Sequence, residues 1–289
     1  MFKLLNFLRL HHWIKNFLIF VPIIASHQLD IITVKNSILA FISFSLIASC
    51  GYIFNDLLDV NADKLNPYKK KRLFATGAIS VKQSLIIVTI LLSISIYISL
   101  KINLQFFLIL FFYFIFSILY SYLLKKIIVL DIIVLSSFYN LRIFAGSLAT
   151  EITISLWLFS FATFFFFSLA AVKRLTELTY LIKNKKNKIE GRGYKAIDLP
   201  IINLMSLCSG YISIVVLALY INSPEVMILY SNPLYLWGIC CVLFYWITMI
   251  ILEANRGNMH HDPVIYASTN KVSYICLLTI LLFLIAGIY

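Results

Sequence analysis

The sequence predicts an all-α membrane protein, a polytopic bundle of about nine transmembrane helices. Hydrophobic residues make up 62% of the 289 residues, whereas charged residues make up only 12%. The mean hydropathy is +0.95. A soluble domain of this length has too small an interior to bury so many apolar side chains. The apolar residues also fall into separate runs of about 20, the length of a helix that crosses a bilayer. No long polar linker divides the chain, so we expect a single domain over residues 1–289.

Nine apolar runs account for the predicted helices. Each is close to the length of about 20 residues that a membrane span requires. The first run is the least regular, because it is short and contains Pro22. We place the spans at residues 14–30, 35–54, 82–100, 104–124, 128–147, 153–172, 199–221, 232–252 and 272–288.

Basic residues are distributed unequally between the loops. The N-terminal segment and alternate loops carry 21 of the 24 Lys and Arg residues, the opposite loops carry only Lys35 and Lys101, and Arg142 lies within a span. Because basic loops stay in the cytoplasm, the pattern predicts a cytoplasmic N-terminus and an external C-terminus in a prokaryotic plasma membrane. Topology thus explains the net charge of +12, and we expect no nucleic-acid partner.

The most distinctive polar stretch follows the second span and reads N-D-L-L-D-V-N-A-D at residues 55–63. On a continuous helix Asp56, Asp59 and Asp63 share about one third of the circumference. Carboxylates so close repel one another unless a cation lies between them. Oxygen ligands without Cys or His favour Mg²⁺, which often bridges protein carboxylates to substrate phosphates. The stretch therefore predicts a Mg²⁺ site on the cytoplasmic side, with Asn55 as a neighbouring substrate contact.

Polar residues near the cytoplasmic ends of the spans are candidates for binding phosphate groups. Arg can bind phosphate oxygens bidentately, and Lys binds them as a point charge. A role limited to membrane orientation is the alternative for these cations. The candidates are Lys15 and Asn16 in the first span, Lys69 and Arg72 after the aspartates, Lys173, Arg174 and Glu177 after the sixth span, and Arg192 and Tyr194 in the loop that follows.

Ionisable residues also occur inside the fifth span. Asp131 and Arg142 are 11 residues apart, about three helical turns, so they share a face, and Tyr139 is a further candidate in the same span. Such residues usually have a function and a partner within the bundle. Substrate binding and a buried structural pair both fit this pattern.

Two adjacent histidines precede Asp262 in the loop before the last span. Neighbouring histidines do not share a helix face, and no further ligands follow at the spacing of a zinc site. We therefore expect no transition-metal site there, although Asp262 could contact substrate.

The aspartate stretch resembles the first motif of the UbiA superfamily of intramembrane transferases, in which that motif binds Mg²⁺ and the donor diphosphate. Members usually carry a second acid-rich motif after the sixth span, where this chain has K-R-L-T-E at residues 173–177. That departure resembles the decaprenyl-phosphate phosphoribosyltransferase branch. The same branch is indicated by H-W-I-K-N at residues 12–16, N-P-Y-K-K-K-R at residues 66–72 and L-R-I-F-A-G at residues 141–146.

The resemblance implies a UbiA-like bundle that transfers phosphoribose from phosphoribosyl diphosphate to a polyprenyl phosphate, for envelope synthesis. It implies Mg²⁺ bound by Asp56, Asp59 and Asp63, and we expect Asp56, Asp59 and Glu177 to be catalytic. The nearest alternative is prenyl transfer from a prenyl diphosphate to an aromatic or lipid acceptor. A membrane transporter is a further alternative, but transporters usually place polar groups at the bilayer midplane and contain internal repeats.

Overall fold

The computed structural model describes residues 7–65, 72–184, 189, 191–259 and 262–288. Helices form the secondary structure of this part of the chain, so the predicted all-α class is confirmed. The chain divides into two compact units. The first comprises Met1–Val134, Phe138–Ile154 and Glu190–Arg192, and the second comprises Leu135–Ser137, Ser155–Ile189 and Gly193–Tyr289. One domain over the whole chain stays a prediction.

The first unit holds the N-terminal helices. It begins with an unusually long 3₁₀ helix, η1. In order, the elements are η1 (Leu10–Phe20), α1 (Val21–Ala25), α2 (Ile31–Leu58), α3 (Val60–Leu65), α4 (Val81–Ile102), α5 (Leu104–Tyr122), η2 (Leu124–Lys126) and α6 (Leu130–Thr150).

The second unit holds the remaining helices. Its two longest helices, α7 and α8, pack extensively against each other. In order, the elements are α7 (Leu156–Lys183), η3 (Ala196–Asp198), α8 (Leu199–Ile221), α9 (Pro224–Leu229), η4 (Pro233–Leu236), α10 (Trp237–Arg256), α11 (Pro263–Ala267) and α12 (Lys271–Ile288).

Eight helical segments of the described chain are long and apolar enough to cross a membrane. The predicted first span differs from the others, because residues 10–25 form η1 and the short helix α1 instead of one long α-helix. Pro22 lies in the first turn of α1. It has no amide hydrogen to donate to a preceding turn, so it suits a helix start and not a helix interior.

Side chains at the helix starts explain where the long helices begin. The Asp30 carboxylate accepts hydrogen bonds from the amides of Ile32 (3.0 Å) and Thr33 (3.1 Å), and so caps α2. A further hydrogen bond from the Thr33 hydroxyl, together with its amide, holds the pKa of Asp30 below its ordinary value, which keeps the cap ionised. At the start of α4, Ser80 and Gln83 form a reciprocal capping box.

A pair of serines joins α2 to α4 within the first unit. The Ser43 hydroxyl donates to the Ser95 carbonyl at 2.8 Å, and the Ser95 hydroxyl donates to the Ser43 carbonyl at 2.8 Å. Both residues are buried. Small hydroxyl side chains allow membrane helices to approach closely and supply hydrogen bonds that hydrocarbon cannot. This contact supports the part of α2 that leads to the aspartate motif.

The aspartate motif is not one continuous helix, contrary to the simplest reading of its spacing. Helix α2 ends at Leu58, and α3 begins at Val60. Asp59 lies between them with φ −94° and ψ 3°. Its amide still donates to the Asn55 carbonyl at 3.0 Å, so the chain bends without losing that hydrogen bond. The three aspartates therefore lie on two helices and the junction between them.

Candidate active site

Two of the motif carboxylates share one arginine. Arg72 Nη1 lies 3.0 Å from Asp56 Oδ1 and 2.7 Å from Asp63 Oδ2. Arg9, which precedes η1, also donates to Asp56. Asp63 is 2% exposed, so its charge requires a close counterion. Arg72 supplies that charge and brings the two carboxylates together across the bend in the motif.

The third motif carboxylate has a different partner. Lys125 Nζ in η2 donates to Asp59 Oδ1 at 2.6 Å. Lys125 is 7% exposed, which is unusual for a lysine and is explained by this ion pair. Asn55 lies on the last turn of α2, directly before the aspartates. The motif therefore meets three basic side chains that come from three separate parts of the first unit.

The donor set of the motif fits a hard divalent cation. All three side chains offer carboxylate oxygens, the ligands that Mg²⁺ prefers. The Arg72 nitrogen already bridges Asp56 and Asp63, so a positive group can contact both carboxylates at once. Within the described ranges, no group of three or more His, Cys, Asp or Glu side chains is arranged to hold a metal ion. Asp59 contacts Lys125, whereas Asp56 and Asp63 contact Arg72.

The predicted site residues Asp131 and Arg192 form an ion pair in the first unit. Asp131 is fully buried. Its Oδ1 accepts hydrogen bonds from Arg192 Nη1 at 2.9 Å and from the Tyr120 hydroxyl at 2.8 Å. The sequence suggested a partner for Asp131 inside the bundle, and that partner is Arg192 from a distant loop. Asp131 and Arg142 do not form an ion pair with each other.

Arg142 is bound instead to the N-terminal helix. Its Nε donates to Asn16 Oδ1 at 2.8 Å and its Nη2 donates to the Tyr113 hydroxyl at 3.1 Å. The guanidinium carbon lies 5.9 Å from the centre of the Tyr139 ring, and Lys15 Nζ lies 5.5 Å from the same ring. Cations contact aromatic faces favourably when they are removed from water. Two predicted binding residues, Lys15 and Arg142, therefore contact a third, Tyr139, and Arg142 also binds a fourth, Asn16.

In the second unit the predicted residues form two ion pairs. Lys173 Nζ donates to Asp262 Oδ2 at 2.9 Å. Arg174, which is fully buried, donates from Nη1 to Glu177 Oε2 at 2.6 Å. Both pairs involve the last part of α7, so this helix end carries two charge pairs. Tyr194 is also fully buried in this unit.

Some predicted positions cannot be compared with the structure. Lys69, His260 and His261 lie outside the described residues. The structure adds two basic residues that were not among the predicted site residues, Arg9 and Lys125. Other basic residues lie near both in the sequence, so the sequence pattern does not distinguish these two. Their ion pairs with the aspartate motif do distinguish them.

The long apolar helices define the class of the protein, an integral membrane protein, and the family match makes it a transferase. The chain belongs to the UbiA prenyltransferase family, whose sequence model matches residues 17–271. The resemblance found in the aspartate motif is thereby confirmed.

Relatives with similar sequences carry different names. Nodulation protein NoeC of Azorhizobium caulinodans is 33% identical over 97% of this chain and 92% of its own length. Uncharacterized protein y4nM of Sinorhizobium fredii is 36% identical over 93% of this chain, but the match spans only 53% of y4nM. A decaprenyl-phosphate phosphoribosyltransferase of Mycobacterium tuberculosis is 31% identical over 59% of this chain and 58% of that enzyme.

Solved structures support the fold. A UbiA homologue from Archaeoglobus fulgidus, bound to GPP and Mg²⁺, has a TM-score of 0.71 and covers 97% of this chain and 99% of its own. A digeranylgeranylglyceryl phosphate synthase has a TM-score of 0.63 and covers 99% of both chains. Both are 16% identical to this chain, so the likeness concerns the fold alone.

Proposed function

We propose that this protein transfers phosphoribose from phosphoribosyl diphosphate to a polyprenyl phosphate, with Mg²⁺ as cofactor. The observation that carries the proposal is the meeting of three carboxylates with three basic side chains at the aspartate motif. Carboxylates suit the metal, and the cations suit the phosphate groups of the donor. The similarity to decaprenyl-phosphate phosphoribosyltransferases supports the choice of substrate.

In this proposal Asp56, Asp59 and Asp63 hold Mg²⁺, with Asn55 beside them. When bound, the ion neutralises charge on the donor diphosphate as it leaves. An oxygen of the lipid phosphate attacks the anomeric carbon of the ribose. The bond from that carbon to the diphosphate breaks, and its electron pair leaves with the diphosphate. The lipid phosphate is already ionised near neutral pH, so no strong general base is needed.

The basic residues position the other phosphates. Phosphoribosyl diphosphate carries a 5-phosphate in addition to its diphosphate, and the acceptor carries another phosphate. Within the first unit, the candidate cations for these groups are Lys15 and Arg192. Positioning and preorganised charge supply most of the rate enhancement.

Prenyl transfer is the second candidate, because a solved structure with the same fold contains a prenyl diphosphate, GPP. The two functions share the metal and the donor diphosphate. They differ in the number of phosphates that the site must bind, so the direct test is donor choice. Purified protein is incubated with labelled phosphoribosyl diphosphate and polyprenyl phosphate, and separately with labelled prenyl diphosphate and an aromatic acid. A labelled prenylated acid from the second pair, together with no labelled phosphoribosyl lipid from the first pair, would contradict phosphoribosyl transfer.

The motif carboxylates are tested by the substitution Asp56→Asn. We expect the loss of one metal ligand to reduce Mg²⁺-dependent transfer by at least about a hundredfold, a typical effect of losing preorganised charge in a site, while the protein is still inserted and purified. The matched control is Asp198→Asn, because Asp198 belongs to η3 and not to the motif, and its Oδ2 accepts from the nearby Lys195 amide at 2.8 Å. Equal activity in the two variants would remove Asp56 from the proposed mechanism.

A further inference from the structure

Lys125 is the least expected member of the aspartate site. It belongs to the short helix η2, and its ammonium donates to Asp59 at 2.6 Å. The next residue, Lys126, has the same charge but is exposed, and its Nζ lies 5.6 Å from the centre of the Tyr122 ring. Positive charge in this loop can orient the membrane protein without being buried. The burial of Lys125 therefore requires a different explanation.

The ion pair places Lys125 in competition with any cation that binds Asp59. A buried ammonium is stabilised by its carboxylate partner and is costly without one. A divalent ion on Asp59 would bring two positive groups to the same carboxylate, and like charges at short range repel. Binding of the ion therefore favours movement of the ammonium away from Asp59 towards another anion.

The positive and negative charges of the whole aspartate site are balanced. Its three carboxylates are matched by Arg9, Arg72 and Lys125, so the cluster is close to neutral. A divalent cation alone makes the cluster positive, and a diphosphate alone makes it negative. Each ligand therefore improves the binding of the other, because together they restore the charge balance.

We propose that Lys125 is an exchangeable counterion: it occupies Asp59 until a divalent cation binds there, and its ammonium then binds the diphosphate of the donor. Lys125 thus becomes a substrate-binding residue of the transferase. The inference rests on the proposed function in one respect, that the motif holds a divalent cation. It applies equally to phosphoribosyl and prenyl donors, because both carry a diphosphate.

The first test measures metal binding and does not depend on activity. Mn²⁺ is titrated into the purified full-length protein in detergent, without donor, and bound ion is followed by electron paramagnetic resonance. Removal of a partner that only orients a metal ligand typically lowers metal affinity 10- to 100-fold. Removal of a competing positive charge has the opposite sign, so we expect Lys125→Met to bind Mn²⁺ about tenfold more tightly than the unaltered protein. The neighbouring variant Lys126→Met should bind Mn²⁺ with unaltered affinity.

The second test measures the other half of the exchange. Inorganic pyrophosphate is titrated calorimetrically into the Mn²⁺-loaded proteins, and Lys125→Met should bind it about tenfold more weakly, since a charged hydrogen bond to phosphate is lost. The opposite signs of the two effects matter, because a residue that only orients Asp59 would lower the metal affinity when removed. Unchanged or weaker Mn²⁺ binding by Lys125→Met would overturn the proposal.

Two further measurements separate the possible failures. If Lys125→Met does not fold, Arg9→Gln tests the same exchange at Asp56, and it should also bind Mn²⁺ more tightly. If the unaltered protein binds no Mn²⁺, or Asp59→Asn binds it equally well, the metal role in the proposed function is overturned together with this inference. If only the transfer assay fails, the choice of donor is wrong and the counterion exchange stands.

Discussion

Val129 has a backbone conformation that a branched side chain rarely adopts. Its φ is 66° and its ψ is −48°, and the amide of Leu130 donates to the carbonyl of Ile128 at 2.8 Å. These values describe a γ-turn of the strained kind, with a central residue at positive φ. The turn joins η2, which carries Lys125, to the start of α6, which carries Asp131. Strained residues persist where the surrounding structure holds them in place, often beside functional sites.

The substitution Val129→Gly should stabilise the protein. Glycine adopts positive φ without steric cost, and Val129 is 40% exposed, so the substitution removes a side chain that lies outside the buried core. We expect the free energy of unfolding to increase by about 1 kcal/mol, the low end of the strain stored at such residues. The measurement is the apparent Tm in detergent. The control is Ile128→Gly in the same turn, which removes a 48% exposed side chain at a position without positive φ and should lower the Tm. A lower Tm for Val129→Gly would show that the turn is not strained.

At the residue scale, the sequence identifies many of the charged residues of the candidate site, but it does not show which residues they contact. Asp131 and Arg192 were both recognised as candidates, but only the fold shows that they bind each other. Lys125 and Lys126 are identical in type and adjacent in sequence, and only burial and the ion pair with Asp59 distinguish Lys125. Such pairings depend on contacts between residues far apart in the chain, which a pattern in one sequence does not contain.

Two of the contacts between η1 and α6 lie one helical turn apart. The first is the hydrogen bond from Arg142 to Asn16. The second lies one turn further along α6, where a Cβ on Gly146 would be 2.1 Å from the carbonyl oxygen of Ile19. Arg142 and Gly146 are four residues apart and share a face of the α-helix. Asn16 and Ile19 are three residues apart and are aligned on the 3₁₀ helix. The two helices therefore meet along a single line of contact.

Gly146→Ala should disrupt this packing. The obstructing atoms belong to the backbone of Ile19, so η1 must move away from α6 to admit a methyl group. Overpacking of this kind typically costs about 2 kcal/mol, and we expect a clear decrease in the apparent Tm. Gly287→Ala is the control, because its added Cβ would lie 3.2 Å from side-chain atoms of Leu236 and Tyr230, which can adjust. Equal Tm values for the two variants would mean that η1 and α6 are not closely packed in solution.

At the element scale, hydropathy predicts the long helices because each contains a run of about 20 mostly apolar residues. This signal requires no tertiary contact. It did not predict the 3₁₀ form of residues 10–20 or the end of α2 at Leu58. Both features accompany polar contacts across the first unit. Asn16 on η1 binds Arg142 and Ser45, and Asp59 at the bend binds Lys125.

At the scale of the whole molecule, the membrane orientation depends on whether η1 and α1 cross the bilayer. They contain only 16 residues, fewer than a usual span. A 3₁₀ helix rises about 2.0 Å per residue, however, compared with about 1.5 Å for an α-helix. Eleven residues of η1 and five of α1 therefore extend about 30 Å, the thickness of the hydrocarbon core. The 3₁₀ form makes a short segment long enough to cross.

A crossing by η1 and α1 would reconcile the structure with the charge pattern. If η1 and α1 cross, the N-terminal basic residues and the loop that contains Arg72 lie on the same side of the membrane, in agreement with the 21 Lys and Arg residues assigned to that side. If they do not cross, Arg9 and Lys15 lie on the side opposite Arg72. The pairing of Arg9 and Arg72 with the same aspartate, Asp56, favours the crossing.

The orientation is tested by cysteine accessibility. Gln28→Cys and Thr76→Cys introduce thiols at exposed positions on either side of α2 in the sequence. In intact cells or right-side-out vesicles, we expect a membrane-impermeant maleimide to label Gln28→Cys and not Thr76→Cys, and inside-out vesicles should give the opposite result. The unsubstituted chain reports background labelling from its own cysteines, two of which are exposed on the protein surface. Labelling of Thr76→Cys from outside would place the aspartate motif on the external face, where cytosolic phosphoribosyl diphosphate does not reach it.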